Sequence, residues 1–460
     1  MNSTLTRSGR EAGRTMSTLA GALIRQGDPE YERARDATVA NGRVPAGRPA
    51  AIVRARHTDD VVSAIGLARR EGLVVTVRSG GHSWSGSHLR DDVLLLDLAG
   101  LDGLEIDTHA PMAAVGPGMR SSALAAALAP HNLFFPTGHC AGPGLGGYLL
   151  QGGFGWNSRV LGPACMSVEA IDVVTADGQL VRADAEHHPD LLWAARGAGP
   201  LFFGAVTRFH LRLHPRPAVC LLTVNVYPVQ ELEPVLGWLH AVGPEVPRTM
   251  ELMAFVRRGA FGNRDPAVIV AGPVFADSEE QARRDLEILD SCPVTALELA
   301  APRGLATDVE RLVADNVELY PTGWRYSADN MWTHAPFPEL LPGLTSIALT
   351  LPSAPSHLMW MNWGEPWPER PDMAFSCEDV TYLAVYGISA RAQDDAANVR
   401  WVTDRMRAME HLSSGIQLAD ENLANRPAPF MAPDRLRRLE EIRRRRDPDG
   451  LFQTPPHHRR

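Results

Sequence analysis

Two stretches of this sequence carry residue types and spacings suited to chemistry. The first, Val77-Arg78-Ser79-Gly80-Gly81-His82-Ser83-Trp84-Ser85-Gly86, puts an imidazole directly after paired glycines. Paired glycines let backbone N–H groups turn outward and approach a ligand closely, as in phosphate cradles. The same residues would also make a plain Gly-Gly turn bearing a surface histidine. The second, Pro136 to Gly155, contains His139 and Cys140. Eight of its 18 residues from 138 to 155 are glycine, against 40 in the 460-residue chain. Ordinary turns do not need that density, whereas a backbone passing close to a large planar ligand does. Within it, Gly142-Pro143-Gly144-Leu145-Gly146-Gly147 satisfies G-x-G-x-x-G. A nicotinamide-dinucleotide site needs a strand running straight into the first glycine. Here Leu133-Phe134-Phe135-Pro136-Thr137-Gly138 precedes it, and the sequence argues against that reading.

Composition removes other chemistries. All 45 basic residues are arginine, with no lysine in the chain. Schiff-base and pyridoxal-phosphate enzymes, Walker-A NTPases and standard protein kinases are thereby excluded. A net charge of −9 argues against general affinity for nucleic acid or anionic membranes. The five cysteines (140, 165, 220, 292, 377) are too scattered for a disulfide scaffold, and no Cys/His cluster has zinc-site spacing, so no metal is expected. His457-His458 falls in a tail expected to fray. No apolar run approaches a membrane span, and the start is polar with Met16 an alternative first residue; a cytoplasmic protein is the expectation.

The elements that must position these loops follow from periodicity. Ala51–Arg56, Leu73–Arg78 and Val93–Leu98 read as strands around an amphipathic helix, Asp59–Glu71, closed by Gly72. A helix is expected over Ser122–Ala129 with Ser121 as N-cap. Asp177-Gly178 marks a hairpin between Ala170–Ala176 and Gln179–Ala183, Pro189 starts a helix to Ala195, and Gly204–Leu213 reads as a strand. Beyond 218, strands at 219–227, 250–256, 267–274 and 380–388 alternate with helices at 277–290 and 393–411. That texture predicts an α+β domain, one sheet covered by helices. A last helix spans 434–446, before Asp447-Pro448-Asp449-Gly450.

Taken together, these motifs resemble the berberine-bridge-enzyme-like flavoprotein oxidases, a branch of the vanillyl-alcohol-oxidase superfamily with a PCMH-type FAD-binding domain. The matching pieces are R-S-G-G-H (78–82), P-x-G-x-C-x-x-x-G-x-G-G (136–147), G-G-x-G (152–155), Val173–Gly178, Pro189–Gly199 with Phe203–Thr207, and Asp447–Phe452. The resemblance implies a two-subdomain FAD-binding domain at 36–216 after an arm at 1–35. A substrate domain would be inserted at 217–411, with 412–460 returning to the FAD domain. It implies FAD joined to His82 and, through sulfur, to Cys140, with an unlinked thiol as the alternative at Cys140. A neutral imidazole or a thiolate can add to an electron-poor flavin ring. Cofactor-binding roles are implied for Arg78, facing the pyrophosphate, and for Ser79, Gly80, Gly81, Ser83, Gly86, Gly138, Gly144, Gly146, Gly147, Gly152, Gly153, Gly155 and Val206. The implied activity is hydride removal from an alcohol, sugar or natural-product carbon, with O2 reduced to H2O2. Two other outcomes are an oxidative cyclase or monooxygenase of secondary metabolism and a flavin-binding protein without turnover.

The proton acceptor departs from the family pattern. Relatives carry an Asn-Tyr-x-Asp-type stretch with tyrosine as base, where this chain has Gly415-Ile416-Gln417-Leu418-Ala419-Asp420-Glu421-Asn422. Asp420 or Glu421 in an apolar pocket would have a raised pKa and act as base, whereas as solvated turn residues they would do nothing. His139 is a candidate for assisting Cys140 or touching substrate. Tyr382 and Tyr386 share a strand face turned to the flavin or to the core. Five of ten tryptophans (324, 332, 360, 363, 367) cluster in the middle domain, and Met359-Trp360-Met361-Asn362-Trp363 would make a stacking wall or simply pack a core.

Overall fold

The computed structural model describes residues 23–259, 265–367 and 369–452. Met16, the arm before residue 23 and His457-His458 lie outside them. Residues 23–36 are not loose: β1 (Leu23–Arg25) joins the first sheet and α1 (Tyr31–Asp36) buries Tyr31 against it. That sheet runs β1-β2-β4-β3, with β2 Ala51–Arg54, β3 Val74–Arg78 and β4 Val93–Asp97. β4 is fully buried because β2 and β3 flank it in parallel and both faces are covered. α2 (Thr58–Glu71) turns Val61, Ala64, Ile65 and Ala68 onto the core. Asp60 accepts the His57 N–H at its start, and Gly72 at φ 67° ends it. β3 is an edge strand, met by the chain's last described residues: the Val75 N–H donates to the Leu451 carbonyl at 2.7 Å, beside a Val75–Phe452 bridge.

A second sheet runs β5-β6-β10-β8-β9. Its strands are β5 Leu104–Asp107, β6 Met112–Val115, β8 Val168–Val174, β9 Leu180–Ala183 and β10 Ala205–Arg212. The Asp177-Gly178 hairpin joins β8 to β9 as expected. A small ribbon pairs β7 (Leu133–Phe134) with β11 (His214–Pro215). α3 (Ser121–Leu128) starts one residue earlier than the sequence predicts, with Arg120 at the N-cap; Ser121 is already helical and its hydroxyl is buried without a partner. α4 (Leu145–Leu150), α5 (Ser158–Leu161) and α6 (Pro189–Ala195) complete this half.

After β11 the chain builds a seven-stranded antiparallel sheet, β15-β12-β14-β13-β17-β18-β16. The strands are β12 Val219–Pro228, β13 Met253–Arg257, β14 Ala267–Ala276, β15 Leu305–Ala306, β16 Arg325–Thr333, β17 His357–Asn362 and β18 Thr381–Ser389. α7 (Leu232–Val242), α8 (Glu279–Leu286), α10 (Phe337–Leu349) and α11 (Asp395–Ala408) cover one face, and the short α9 (Val309–Asp315) packs in the cluster on the other. Alternation along each strand divides the sheet. Leu383 and Val385 join the core beneath the helices, while Tyr382, Ala384 and Tyr386 turn to the other face. β16, β17, α7 and α10 were not expected, and α8 and α11 are shorter than expected. Polar and tryptophan residues interrupt the apolar run in β16 and β17. The segment before β18 leaves this sheet: Ala374 and Phe375 donate to carbonyls of Trp193 and Arg196 in the first half.

The chain then returns along β16. Arg426 pairs with Asp329 at 2.5 Å, both essentially buried, and also donates to the Asn330 carbonyl. Asn330 donates to the carbonyls of Gln417 and Asp420 and accepts the Gln417 N–H. α12 (Pro433–Arg446) closes the chain by burying Leu439 and Ile442. Asp329→Ala would leave Arg426 charged, buried and unpaired, a loss of roughly 3–5 kcal/mol. Urea unfolding should show that drop; an unchanged midpoint would mean the pair does not hold this return segment.

Candidate active site

The unhelical face of the large sheet looks onto the glycine-rich loops of the first half, and a cavity of about 740 Å3 lies between them. The two loops touch backbone to backbone. A Cβ at Gly80 would sit 2.2 Å from the Gly144 nitrogen, and one at Gly144 would sit 2.6 Å from Gly80. Arg120 fixes the crossing by donating to the carbonyls of Gly80 (3.0 Å) and Gly142. His82 and Cys140 are thereby brought to one cavity, with Ser79, Gly80, Gly81, Ser83, Gly138, Gly144, Gly146, Gly147 and Val206 also on its wall. Ser79 additionally accepts the Gly147 N–H at 3.0 Å.

Other expected cofactor residues are elsewhere. Gly86, Gly152, Gly153 and Gly155 do not line the cavity; they permit close packing. Cβ atoms there would strike Pro45, Phe375, Ala164 and the Thr137 carbonyl respectively. Arg78 is on the wall, but its guanidinium is committed to Asp97 at 2.6 Å and to the Thr38 carbonyl at 3.0 Å. Arg78 and Asp97 are register partners on β3 and β4, so the expected pyrophosphate cation is a buried structural ion pair. No strand leads into Gly142, in keeping with the case against a nicotinamide dinucleotide.

At the opposite wall sits Asp420. Its Oδ1 accepts from Trp84 Nε1 at 2.7 Å, and its Oδ2 accepts from the hydroxyls of Tyr382 (2.6 Å) and Tyr386 (2.8 Å). Burial raises its pKa above the ordinary carboxylate value, although these three donors oppose the rise. Burial, with the Asp420 charge next, lifts both tyrosines well above the usual phenol value. Glu421 does not join the site: it is absent from the wall, and its carboxylate accepts the Leu423 N–H at 2.7 Å. His139 is on the wall, with Nε2 2.9 Å from Glu251 Oε2. Glu251, buried, also accepts the Asn157 N–H. Sequence reasoning assigned no role to Glu251, to Trp84 although it stands in the first glycine motif, or to Tyr320, which lines the cavity. Burial pushes the His82 pKa down to about 4 and the Cys140 thiol up to about 12. His82 is thus a neutral imidazole at pH 7 and Cys140 a thiol.

Of the two readings of the tryptophan cluster, the stacking wall is not the one formed. None of Trp324, Trp332, Trp360, Trp363 and Trp367 lines the cavity. Met359 and Met361 face it, and Trp360 points into the core beneath the helices, because the segment is a strand and neighbouring residues alternate. Among the described residues no group of three His, Cys, Asp or Glu could hold a metal, and no helix is long and apolar enough to cross a membrane.

A large planar cofactor suits this wall. The cavity has glycine backbone on one side, two nucleophiles, and three buried polar atoms without partners: Thr76 Oγ1, Gln151 Oε1 and Trp156 Nε1. Fold and site together define an FAD-linked oxidoreductase. An FAD binding domain family model matches residues 49–184. "FAD-linked oxidoreductase penO" of Penicillium crustosum is 32% identical over 442 residues, covering 94% of this chain and 96% of that protein. The fold matches 6-hydroxy-D-nicotine oxidase from Arthrobacter nicotinovorans with TM-score 0.83 at 24% identity, covering 96% and 98% of the two chains. It matches a chitooligosaccharide oxidase with TM-score 0.80 at 20% identity, covering 95% and 97%. The chain belongs to the FAD-linked oxidoreductases, and it is an enzyme.

Besides His82, the candidate for flavin attachment, His88, His214 and His357 have pKa values lowered by burial to about 3, 4 and 4. The unfolded chain takes up these three protons as pH falls through about 6.5, while the folded chain does not until near 4. Their contribution to stability therefore falls as pH is lowered through that window. The raised carboxyl pKa values of Asp329 and Asp420 act in the opposite sense above 3.8. The three imidazoles should dominate, giving a lower denaturation midpoint at pH 5 than at pH 7; equal midpoints would refute neutral buried imidazoles.

Proposed function

We propose that FAD occupies this cavity, joined to His82 and also to Cys140, and that the enzyme oxidises an alcohol or amine carbon with O2 as final acceptor. Bound FAD supplies the hydride acceptor. The observation that carries the reading is that Asp420, Tyr382 and Tyr386 share one cavity with His82 and Cys140.

The neutral His82 imidazole has its lone pair available for attachment. Cys140 must first give up a proton, and His139 next to it, backed by Glu251, is the adjacent group able to take one. The proton of the substrate hydroxyl or amine passes to a phenol oxygen of Tyr386 or Tyr382, whose own proton moves to Asp420 Oδ2. Burial favours the uncharged form of Asp420, so its carboxylate is a stronger proton acceptor than in water. Trp84, held on the other oxygen, orients the carboxylate. These groups supply acid–base assistance of about 10²–10⁴-fold.

Acid-precipitated protein should remain yellow and carry FAD mass on the His82 peptide, and loss of all flavin to the supernatant sinks the covalent link. Cys140→Ala should keep flavin through His82 but change its spectrum. Asp420→Asn, which keeps the size of the side chain but replaces one accepting oxygen with a donor, should slow anaerobic flavin reduction by about 10²-fold or more while flavin content is retained. One peroxide released per product separates an oxidase or an oxidative cyclase from a monooxygenase, which places one oxygen atom of O2 in its product; the mass of the product then separates the first two from each other by the bond formed.

A further inference from the structure

We propose that the substrate half of this cavity takes a multi-ring, predominantly apolar alcohol or amine and not an oligosaccharide, with Met253, Phe255, Met359 and Met361 setting that specificity. The inference rests on the reading of the cavity as the flavin and substrate site.

The wall that faces the glycine loops is the open face of the large sheet. From Tyr382 and Tyr386 on β18 it continues across β17, β13, β14 and β12, which are consecutive neighbours. Four inter-strand steps of about 4.8 Å make roughly 19 Å of wall. Two of the strands present methionine or phenylalanine (Met359 and Met361, then Met253 and Phe255), and the next two present residues such as Ile269 and Leu222. A single small ring would cover only a fraction of that length.

The strands of this wall carry few hydrogen-bonding groups for hydroxyls; Asp315, Asn316, Glu318 and Tyr320, also on the cavity, come from the end of α9 and the segment after it. The hydroxyls of Tyr382 and Tyr386 donate to Asp420, which leaves their oxygens to accept only the reacting hydroxyl or amine. Arg257 is the cation on this face; it stands at the end of β13, 3.9 Å from the outward Glu318 carboxylate. A sugar ring laid on this wall would lose water from its hydroxyls without replacement partners. Nor does the strand wall offer indole faces for the apolar side of a sugar, since none of the five tryptophans clustered in the middle domain lines the cavity. Methionine is polarizable and adapts to irregular fused rings, and three methionines on adjacent strands make a surface of that kind.

The test uses the flavin-bearing protein under anaerobic conditions, with 2-naphthalenemethanol and cellobiose as probes and perturbation or bleaching of the visible flavin band as readout. The aromatic alcohol is expected to bind at least tenfold more tightly than cellobiose. Met359→Gln should weaken it at least fivefold, whereas Met359→Leu, which keeps the wall apolar, should not. Cellobiose binding as tightly or more tightly, no response to the aromatic alcohol, or equal binding in the glutamine variant overturns the inference. Protein that carries no flavin at all fails the parent reading instead, and the absorbance spectrum taken before titration separates the two.

Discussion

The site depends on the contact between the Gly80 and Gly144 backbones. Each glycine lies where the other's Cβ would have to be, so the loops approach to a distance no other residue allows. His82 is two residues past one side of the crossing and Cys140 four residues before the other. Arg120 ties both strands of the crossing by their carbonyls. Two side chains far apart in sequence are therefore placed by backbone packing, which is stiffer than any side-chain contact.

The opposite wall is fixed by polar groups. Asp420 sits on the returning segment, and Asn330 and the Asp329–Arg426 pair bolt that segment to β16. Its oxygens are then held by Trp84, from the Gly80-Gly81 loop, and by two tyrosines of β18. Three separate parts of the chain meet on one carboxylate. Because a buried carboxylate is costly unless hydrogen-bonded, these donors make its position stable while leaving it a strong proton acceptor.

What could be read from the sequence was what lay close together along it. The two glycine loops, His82, Cys140, the hairpin at Asp177-Gly178 and the helix closed by Gly72 are all local patterns, and each stands where its pattern puts it. Asp420 was legible only as a departure from a family motif. The partners of Arg78 and Glu421 could not be read locally, because they depend on context. Asp97 comes opposite Arg78 only through parallel register, and Glu421 folds back onto Leu423. The tryptophan wall failed because the segment around Trp360 is a strand, and strand alternation sends the indole away from its methionine neighbours. Glu251 lies 112 residues from His139, so no local spacing could pair them.

The Asp447-Pro448-Asp449-Gly450 breaker does more than end a helix. Asp447 accepts the N–H groups of Leu451 and Phe452, and this presents the Leu451 carbonyl to Val75 along the free side of β3. An uncovered strand edge is a template for pairing with another chain. That edge stays open until a segment more than three hundred residues away in sequence arrives. Such a long-range closure makes folding slow. During synthesis the first sheet must therefore wait, with its hydrogen-bonding row exposed to other nascent chains, for almost the entire polypeptide to follow.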